Sequence, residues 1–144
     1  MNRTCQIDFY VLASPAQSAE RLACRLAMMA WEQGHKVAVL TASEKDAAAL
    51  DEIMWDFPAG RFLPHGTGQE NAEAPVSIGT DDKELPTGRD LLINLTDHAI
   101  EDPARFTRLL EIVPGAEQKR LASRQKYREY RAVGLEPSSH KIGK

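Results

Sequence analysis

The chain has 144 residues, the length of one ordinary domain, and a formal net charge of −3. Hydrophobic residues make up 42% and charged residues 27%, a balance that argues against intrinsic disorder. The longest nearly apolar stretch, 22–31, is interrupted by Arg25 and is too short to span a bilayer, and the first residues lack a signal peptide's apolar run. We therefore expect one soluble domain over residues 1–144, without membrane contact.

The two cysteines, Cys5 and Cys24, fall in a predicted strand and a predicted helix. Neither belongs to a C-x-x-C pair, and the four histidines are dispersed, so no metal site is predicted. A buried thiol behaves as a small hydrophobic group. Free thiols and the missing signal sequence together favour the cytoplasm.

The first third of the chain alternates strand and helix patterns. Residues 4–12 are rich in β-branched and aromatic residues and predict a strand. Ser14–Pro15 predicts the N-cap and first turn of a helix over 16–33, whose apolar residues recur at helical spacing. Gly34 ends that helix. Residues 36–41 are nearly all apolar, which is typical of a strand inside a parallel sheet.

The middle of the chain is more polar. Ser43 with Asp46 resembles a capping box and opens a helix that runs to Trp55. Residues 65–88 form a passage rich in glycine, proline and acidic residues, within which 75–78 predict an edge strand.

The last third returns to alternating elements. Residues 91–95 predict a buried strand, and Asp102–Pro103 predicts the start of a helix that reaches Glu111. Residues 112–113 predict a short strand and 117–132 the final helix, after which residues 135–144 are expected to form a flexible tail. This alternation favours a three-layer α/β domain with a mainly parallel sheet.

Nucleotide binding is the first function that such a fold suggests. It requires a glycine-rich turn after the first strand, whose backbone amides bind phosphate. Here that turn is Ala13–Ala16, which has no glycine and in which Pro15 removes an amide donor. Gly66 and Gly68 form a lone G-x-G in a loop, explained by turn geometry. We predict no functional phosphate-binding loop and no cofactor.

Sequence motifs for hydrolytic catalysis are also missing. The chain contains no G-x-S-x-G motif, and Asp81–Asp82 lies in the polar passage, where solvation is expected. His65 is interpreted as a hydrogen-bonded residue that anchors a loop, with a catalytic role as the less favoured alternative. A triad assembled from distant residues stays open at the level of sequence, but no residue points to one.

The final helix carries an uneven share of charge. Residues 117–131 have a formal charge of +4 and the remainder of the chain −7, which favours an acidic partner. At about 100° per residue, Arg120, Arg124, Tyr127 and Arg131 share one sector of this helix. Arginine forks suit carboxylates and phosphates, although a solvated basic face is the alternative. The side predicted to face the core carries Ala122, Tyr130 and Val133.

A second candidate surface lies at residues 55–65, which contain one tryptophan, two phenylalanines and two prolines. This is an apolar composition for a surface connection. The segment either closes the core or presents an aromatic patch to another protein.

Short motifs recur in a defined order along nearly the whole chain. They are FYVL at 9–12, Trp31, GHKV at 34–37, LDEIMW at 50–55, Pro58, FLPH at 62–65, APV at 74–76, RDLLINL at 89–95, VP at 113–114 and RQKYREYRAVG at 124–134. No single motif is diagnostic. In this order and spacing, the chain resembles the chi subunit of the bacterial DNA polymerase III holoenzyme.

The resemblance implies a Rossmann-like fold without a functioning nucleotide site, and a non-catalytic role. It also implies two partners. One is the psi subunit, through which the chain would join the clamp loader. The other is the acidic C-terminal tail of single-stranded DNA-binding protein, which ends in phenylalanine and its free carboxylate. Some relatives also bind a helicase-like repair protein through the psi surface, and contact with DNA would be indirect.

The same resemblance implies residues for both sites. The tail site would contain Val113, Arg120, Arg124, Tyr127 and Arg128. The psi site would contain Trp55, Phe62, Pro64 and His65. Two other functions stay open at this stage: a degenerate nucleotide-binding domain, and direct binding of single-stranded DNA through the basic final helix. The second is disfavoured because stacking platforms usually use several aromatic residues.

Overall fold

The computed structural model describes residues 5–56, 64–67, 74–81, 85 and 88–142. Seven strands, three α-helices and one short 3₁₀ turn occur within these residues. In chain order they are β1 (Gln6–Leu12), α1 (Ala19–Glu32), β2 (Val37–Leu40), α2 (Glu44–Asp56), β3 (His65–Thr67), β4 (Val76–Gly79), β5 (Leu91–Asn94), the turn Pro103–Arg105, β6 (Arg108–Val113), α3 (Glu117–Ala132) and β7 (Ser138–Ile142).

The seven strands form one sheet in the order β3-β4-β2-β5-β6-β1-β7, and every described pair is parallel. Helices α1 and α2 pack on one face, and α3 packs on the other. The prediction of a three-layer, Rossmann-like α/β domain with a mainly parallel sheet is confirmed.

The central strands are buried on both faces, which explains their continuous apolar sequence. In β2, Val37 and Val39 join the cluster under α1 and α2, whereas Ala38 and Leu40 join the cluster under α3. Alternate side chains of a strand point to opposite faces, so one short strand supplies both layers of the core.

Helix α1 begins later than the sequence predicts. Ser18, and not Ser14, is the N-cap, and its side-chain oxygen accepts a hydrogen bond from the Arg21 backbone N–H at 3.1 Å. The Ser14 hydroxyl instead accepts a bond from the Ala16 N–H at 3.1 Å, within a turn that precedes the helix. Both serines can cap a helix, so sequence alone does not select between them.

Helices α1 and α3 end in the same way. Gly34 has φ of +93°, and the N–H of the next residue, His35, donates to the carbonyl of Ala30 at 3.0 Å. After α3, Gly134 has φ of +90°, and the Leu135 N–H donates to the last helical turn at 3.1 Å. Glycine suits both positions because it adopts positive φ without steric cost.

The turn at Gly134 leads into β7, so residues 138–142 form a strand within the range 135–144 where a flexible tail is expected; residues 143–144 lie outside the described residues. Residues 138–142 pair in parallel with β1, from Asp8 opposite Ser138 to Leu12 opposite Ile142. Four of the five β7 residues are exposed, and their polar sequence gives no apolar alternation. The strand therefore depends on its pairing with β1.

The predicted helix from Asp102 to Glu111 is wrong. Only the turn Pro103–Arg105 is helical, and residues 108–113 form β6. Glu111, predicted to end that helix, is instead completely buried in the strand. The predicted short strand at 112–113 is the end of β6.

Two further differences concern the sheet edge and the cysteines. Strand β4 is not at the edge, because β3 pairs outside it. Both thiols are buried as predicted, and burial raises the pKa of Cys5 to about 11 and that of Cys24 to about 12. These shifts disfavour the reactive thiolate.

The loop before α3 packs directly against the loop after β1. A Cβ atom at Gly115 would lie 2.4 Å from the Ser14 carbonyl carbon and 2.6 Å from the Pro15 nitrogen. Only glycine permits this backbone approach, which fixes the start of α3 beside the end of β1.

We expect Gly115→Ala to lower the free energy of unfolding by about 1–3 kcal/mol, because backbone must move to accommodate the methyl group. Urea denaturation measures the loss. Gly79→Ala is the matched control, because its Cβ would meet only the side chain of Leu85, at 2.8 Å, and that side chain can turn away. Equal losses in the two variants would contradict this explanation.

Candidate functional site

A buried carboxylate on β6 determines how α3 sits on the sheet. Glu111 is 0% exposed and accepts hydrogen bonds from Lys126 Nζ at 2.8 Å, from Asn94 Nδ2 at 2.9 Å and from the Tyr130 hydroxyl. Burial raises the pKa of the Glu111 carboxyl, and the ammonium and the three hydrogen bonds oppose that rise. Lys126, one of the six basic residues of the charged segment, is therefore buried in an ion pair with Glu111 and is not exposed to a partner.

The same cluster joins α3 to the loop after β5. Lys126 donates to the Thr96 carbonyl, and the Ile100 N–H donates to the Tyr130 hydroxyl at 3.0 Å. Tyr130 is buried as predicted, and burial beside Glu111 raises its pKa strongly. Val133, predicted on the same side, is exposed at the end of the helix.

With this side of α3 turned inward, a neighbouring side opens onto a cavity of about 450 Å³. The cavity lies between α3 and the strands β1, β6 and β7. Its apolar lining includes Phe9, Val11, Val113 and the ring of Tyr127. The rings of Phe9 and Tyr127 contact each other at a centroid distance of 5.7 Å.

Three cations line the same cavity: Arg120, Arg124 and Lys141. The hydroxyls of Ser123 and Ser139 add polar groups, and none of the described lining residues is acidic. The cavity thus combines an apolar interior with positive charge, which suits an anion that carries an apolar group.

The three cations have different surroundings. Arg120 Nη2 donates to the carbonyls of Leu12 and Ala13 at 3.2 and 3.3 Å, while its buried Nε has no hydrogen-bond partner among the described residues. Arg124 and Lys141 are exposed and make no ion pair with any residue that the structure describes. Arg120 is therefore fixed by the backbone, whereas the other two are available to a ligand.

Strand β7 forms one wall of the cavity and is attached through its opposite face. His140 Nε2 lies 2.9 Å from Asp8 Oδ1, and its ring stacks on Tyr10 at 5.2 Å between centroids. Arg108 Nε donates to the other oxygen of Asp8 at 3.1 Å. Burial alone would raise the pKa of Asp8, but the His140 and Arg108 hydrogen bonds outweigh it and lower the pKa.

Four of the five residues predicted for the tail site line this one cavity: Val113, Arg120, Arg124 and Tyr127. Arg128 does not line it, and its Nη1 donates to Gln125 Oε1 at 3.1 Å. Sequence reasoning missed the contributions of β1 and β7. No signal marked Lys141, because it lay in the expected tail.

The residues predicted for the psi site have unequal exposure. The Trp55 residue is 60% exposed, whereas the His65 side chain is 1% exposed and Pro64 is half-buried. His65 lies edge-on to the indole at 5.0 Å, and its Nε2 is 3.2 Å from Asp51 Oδ1. Phe62 lies outside the described residues.

The carboxyl ends of β2 and β5, where open α/β sheets bind nucleotides, border a crevice of about 360 Å³. Asp81, Asp97 and Glu101 line it, and its described lining includes no lysine or arginine. This charge is unfavourable for phosphate. In the described parts of the chain, no three His, Cys, Asp or Glu side chains could hold a metal ion, and no helix is long and apolar enough to cross a membrane.

Comparison with known families identifies the chain. Residues 5–138 match the family described as DNA polymerase III chi subunit, HolC. The chain belongs to the chi-subunit family of DNA polymerase III. Proteins named DNA polymerase III subunit chi are similar over most of their length. The Pseudomonas aeruginosa protein is 41% identical over 95% of this chain and 96% of its own, and the Escherichia coli protein 33% identical over 82% of each.

A third chi subunit, from Haemophilus influenzae, is 31% identical over 99% of this chain and the whole of its own. Among solved structures, the C-terminal domain of the DEAD-box protein Dbp5 superimposes with a TM-score of 0.64 at 10% identity. That alignment covers 96% of this chain and 91% of the Dbp5 chain. At such low identity the likeness shows that this chain shares the fold, and nothing about its activity.

The hydrogen bonds of Asp8 with His140 and Arg108 lead us to expect that the stability of the fold depends on pH. Because folding lowers the pKa of Asp8 below its ordinary value of 3.8, the carboxylate stabilises the fold above that pH. This contribution is lost as the pH falls through the lower, folded-state pKa. We expect Asp8→Asn to be less stable than the wild type at pH 7, with the gap closing below about pH 4.

Urea unfolding between pH 2.5 and 7 measures this gap. Asp97→Asn is the control, because it breaks an exposed ion pair with Lys119 that contributes only about 0–1 kcal/mol. A gap for Asp8→Asn that stays constant across this range would show that the carboxylate charge is not the stabilising feature.

Proposed function

We propose that this chain is a non-catalytic, cytoplasmic adaptor of the DNA polymerase III clamp loader. The cavity between α3 and the strands β1, β6 and β7 would bind the acidic C-terminal tail of single-stranded DNA-binding protein. The surface around Trp55, Pro64 and His65, called the Trp55 surface below, would bind the psi subunit. The observation that carries the proposal is the cavity itself, an apolar space whose charged lining residues are all cations.

The cavity chemistry fits a peptide that ends in phenylalanine. Phe9, Val113 and the Tyr127 ring provide apolar and aromatic surface for the terminal phenyl group. Arg124 can bind both oxygens of the terminal carboxylate, because a guanidinium presents paired N–H donors to a planar anion. A peptide that lacked either the ring or the free carboxylate would leave half of this lining unused.

Arg120 would contribute mainly a fixed positive charge at the wall of the cavity. Two of its hydrogen bonds go to backbone carbonyls at the end of β1, so its guanidinium is held at the cavity wall before any ligand arrives. A fixed cation costs little conformational entropy on binding. Arg120 thus supplies positive potential, while Arg124 supplies the adaptable contact.

The Trp55 surface supports the second interaction. Tryptophan is one of the residue types enriched among the hot spots near the centre of protein interfaces. The nearly buried His65 would position the indole through their edge contact, while its interaction with Asp51 ties β3 to α2. Pro64 precedes His65 and belongs to the same proposed surface, to which the resemblance also assigns Phe62.

Two modest links would suffice for an adaptor. Tethering within a large assembly raises the effective concentration of each partner for the other, so the combined attachment exceeds either single affinity. The chain would connect the polymerase to protein-coated single-stranded DNA without contacting DNA itself. A helicase-like repair protein would compete for the Trp55 surface.

We expect Arg124→Ala to weaken binding of the tail peptide by about 1.5–3 kcal/mol, the contribution of hydrogen bonds to charged groups. Calorimetric titration with an acidic peptide ending in Asp-Phe carboxylate measures the affinity. Arg131→Ala is the matched control, because it removes an exposed arginine from the same helix that does not line the cavity. Wild-type affinity should also fall as the salt concentration rises.

A peptide without the terminal phenylalanine should not bind. Equal losses in Arg124→Ala and Arg131→Ala would contradict the cavity assignment and favour a diffuse electrostatic attraction. Binding of single-stranded DNA alone, with a steep salt dependence, would favour the direct-binding alternative. Saturable ATP binding would favour a degenerate nucleotide site.

We expect Trp55→Ala to weaken psi binding by about 2 kcal/mol or more, the loss typical of a central interface tryptophan. Tail-peptide affinity should be unchanged, because the cavity lies on the α3 side of the sheet. Leu121→Ala, which truncates a 53% exposed leucine on α3, is the control for loss of any exposed apolar group. Titration of psi into each variant provides the measurement, and loss of both interactions in Trp55→Ala would indicate unfolding.

A further inference from the structure

We infer that Lys141 of β7 selects acidic side chains that precede the terminal residue of the bound peptide. This inference rests on the proposed function of the cavity. It assigns to the last strand a binding role separate from that of α3.

The register of β7 places Lys141 on the cavity side. Lys141 is paired with Val11, which lines the cavity, and Ser139 is paired with Phe9, which also lines it. His140, between them, points to the other face, where it contacts Asp8 and Tyr10. Because side chains alternate along a strand, the attachment of His140 also sets the direction of Lys141.

Lys141 and Arg124 carry charges without an ion-pair partner among the described residues, whereas three neighbouring cations have partners. Lys119 binds Asp97, Arg108 binds Asp8 and Lys126 binds Glu111. The Lys141 side chain is exposed, and it forms no hydrogen bond or ion pair with any residue in the described part of the chain. Its nearest functional counterpart is Arg124, which lines the same cavity from α3.

A ligand with one negative charge cannot form an ion pair with both Arg124 on α3 and Lys141 on β7. If Arg124 binds the terminal carboxylate, Lys141 on the opposite element is left uncompensated beside two arginines. Acidic side chains upstream of the terminal residue supply the missing charge. A lysine suits this role because its flexible stem carries a point charge that follows a carboxylate whose position varies.

Titration calorimetry on the full chain tests the inference with three peptides. The first is an acidic peptide with aspartates before a terminal phenylalanine carboxylate. The second replaces those aspartates with asparagine, and the third carries a C-terminal amide. The proteins are the wild type, Lys141→Ala, Lys141→Arg, Arg124→Ala and the control Arg131→Ala.

We expect Lys141→Ala to weaken the acidic peptide about two- to fivefold, the range for a solvent-accessible ion pair. It should not change the affinity of the asparagine peptide, and Lys141→Arg should retain most of the affinity for the acidic one. Arg124→Ala should weaken binding of the peptides that end in a free carboxylate. It should not change the affinity of the amidated peptide, because that peptide has no terminal carboxylate for Arg124 to bind. Each double-mutant cycle combines one substitution in the protein with one change in the peptide, and so isolates the interaction between those two groups.

Unchanged binding of the acidic peptide by Lys141→Ala overturns the inference while leaving the proposed function intact. An equal loss with the acidic and asparagine peptides also overturns it, because the effect would then not depend on peptide charge. If the wild-type chain binds none of the peptides, the proposed function fails and this inference fails with it. Matching thermal midpoints show that the variants remain folded.

Discussion

The buried carboxylate of Glu111 is the interaction on which the rest of the structure depends. Helix α3 has few apolar residues, and only Lys126 and Tyr130 of the helix are fully buried. A hydrophobic stripe therefore cannot fix its rotation, and the bonds to Glu111 do so instead. Apolar residues of similar volume can match the stability of such a buried pair, so the importance of the pair lies in the direction that it gives to α3 and not in its strength. The outward direction of Arg124 follows from this polar anchor.

Strand β1 connects that anchor to the rest of the site. It pairs with β6, which carries Glu111, and with β7, which closes the cavity. Its odd-numbered residues Phe9 and Val11 line the cavity, and its even-numbered residues Asp8 and Tyr10 contact β7 on the reverse face. A single strand thus builds the binding surface on one side and secures its wall from the other.

Sequence predicts the parts of this molecule whose pattern is set locally. The sequence predicts β2 and β5 from their apolar runs and α3 over its full span, 117–132. These features depend on the pattern of neighbouring residues, which the sequence shows directly. Most of strand β6 was not predicted, because the buried charge of Glu111 interrupts its apolar pattern. Strand β7 was not predicted, because its polar residues form a strand only through pairing with β1. The α3 half of the cavity was therefore predictable, and the β7 half was not.

The attachment of β7 has a consequence for how the domain reaches its native state. Asp8 meets Arg108 across 100 residues of sequence and His140 across 132. Contacts of such high order close large loops, and chains dominated by them fold slowly compared with helical bundles of similar stability. The two walls of the cavity are joined only when these loops have closed. A partly folded chain thus cannot assemble the complete cavity, and recognition is coupled to completion of the fold.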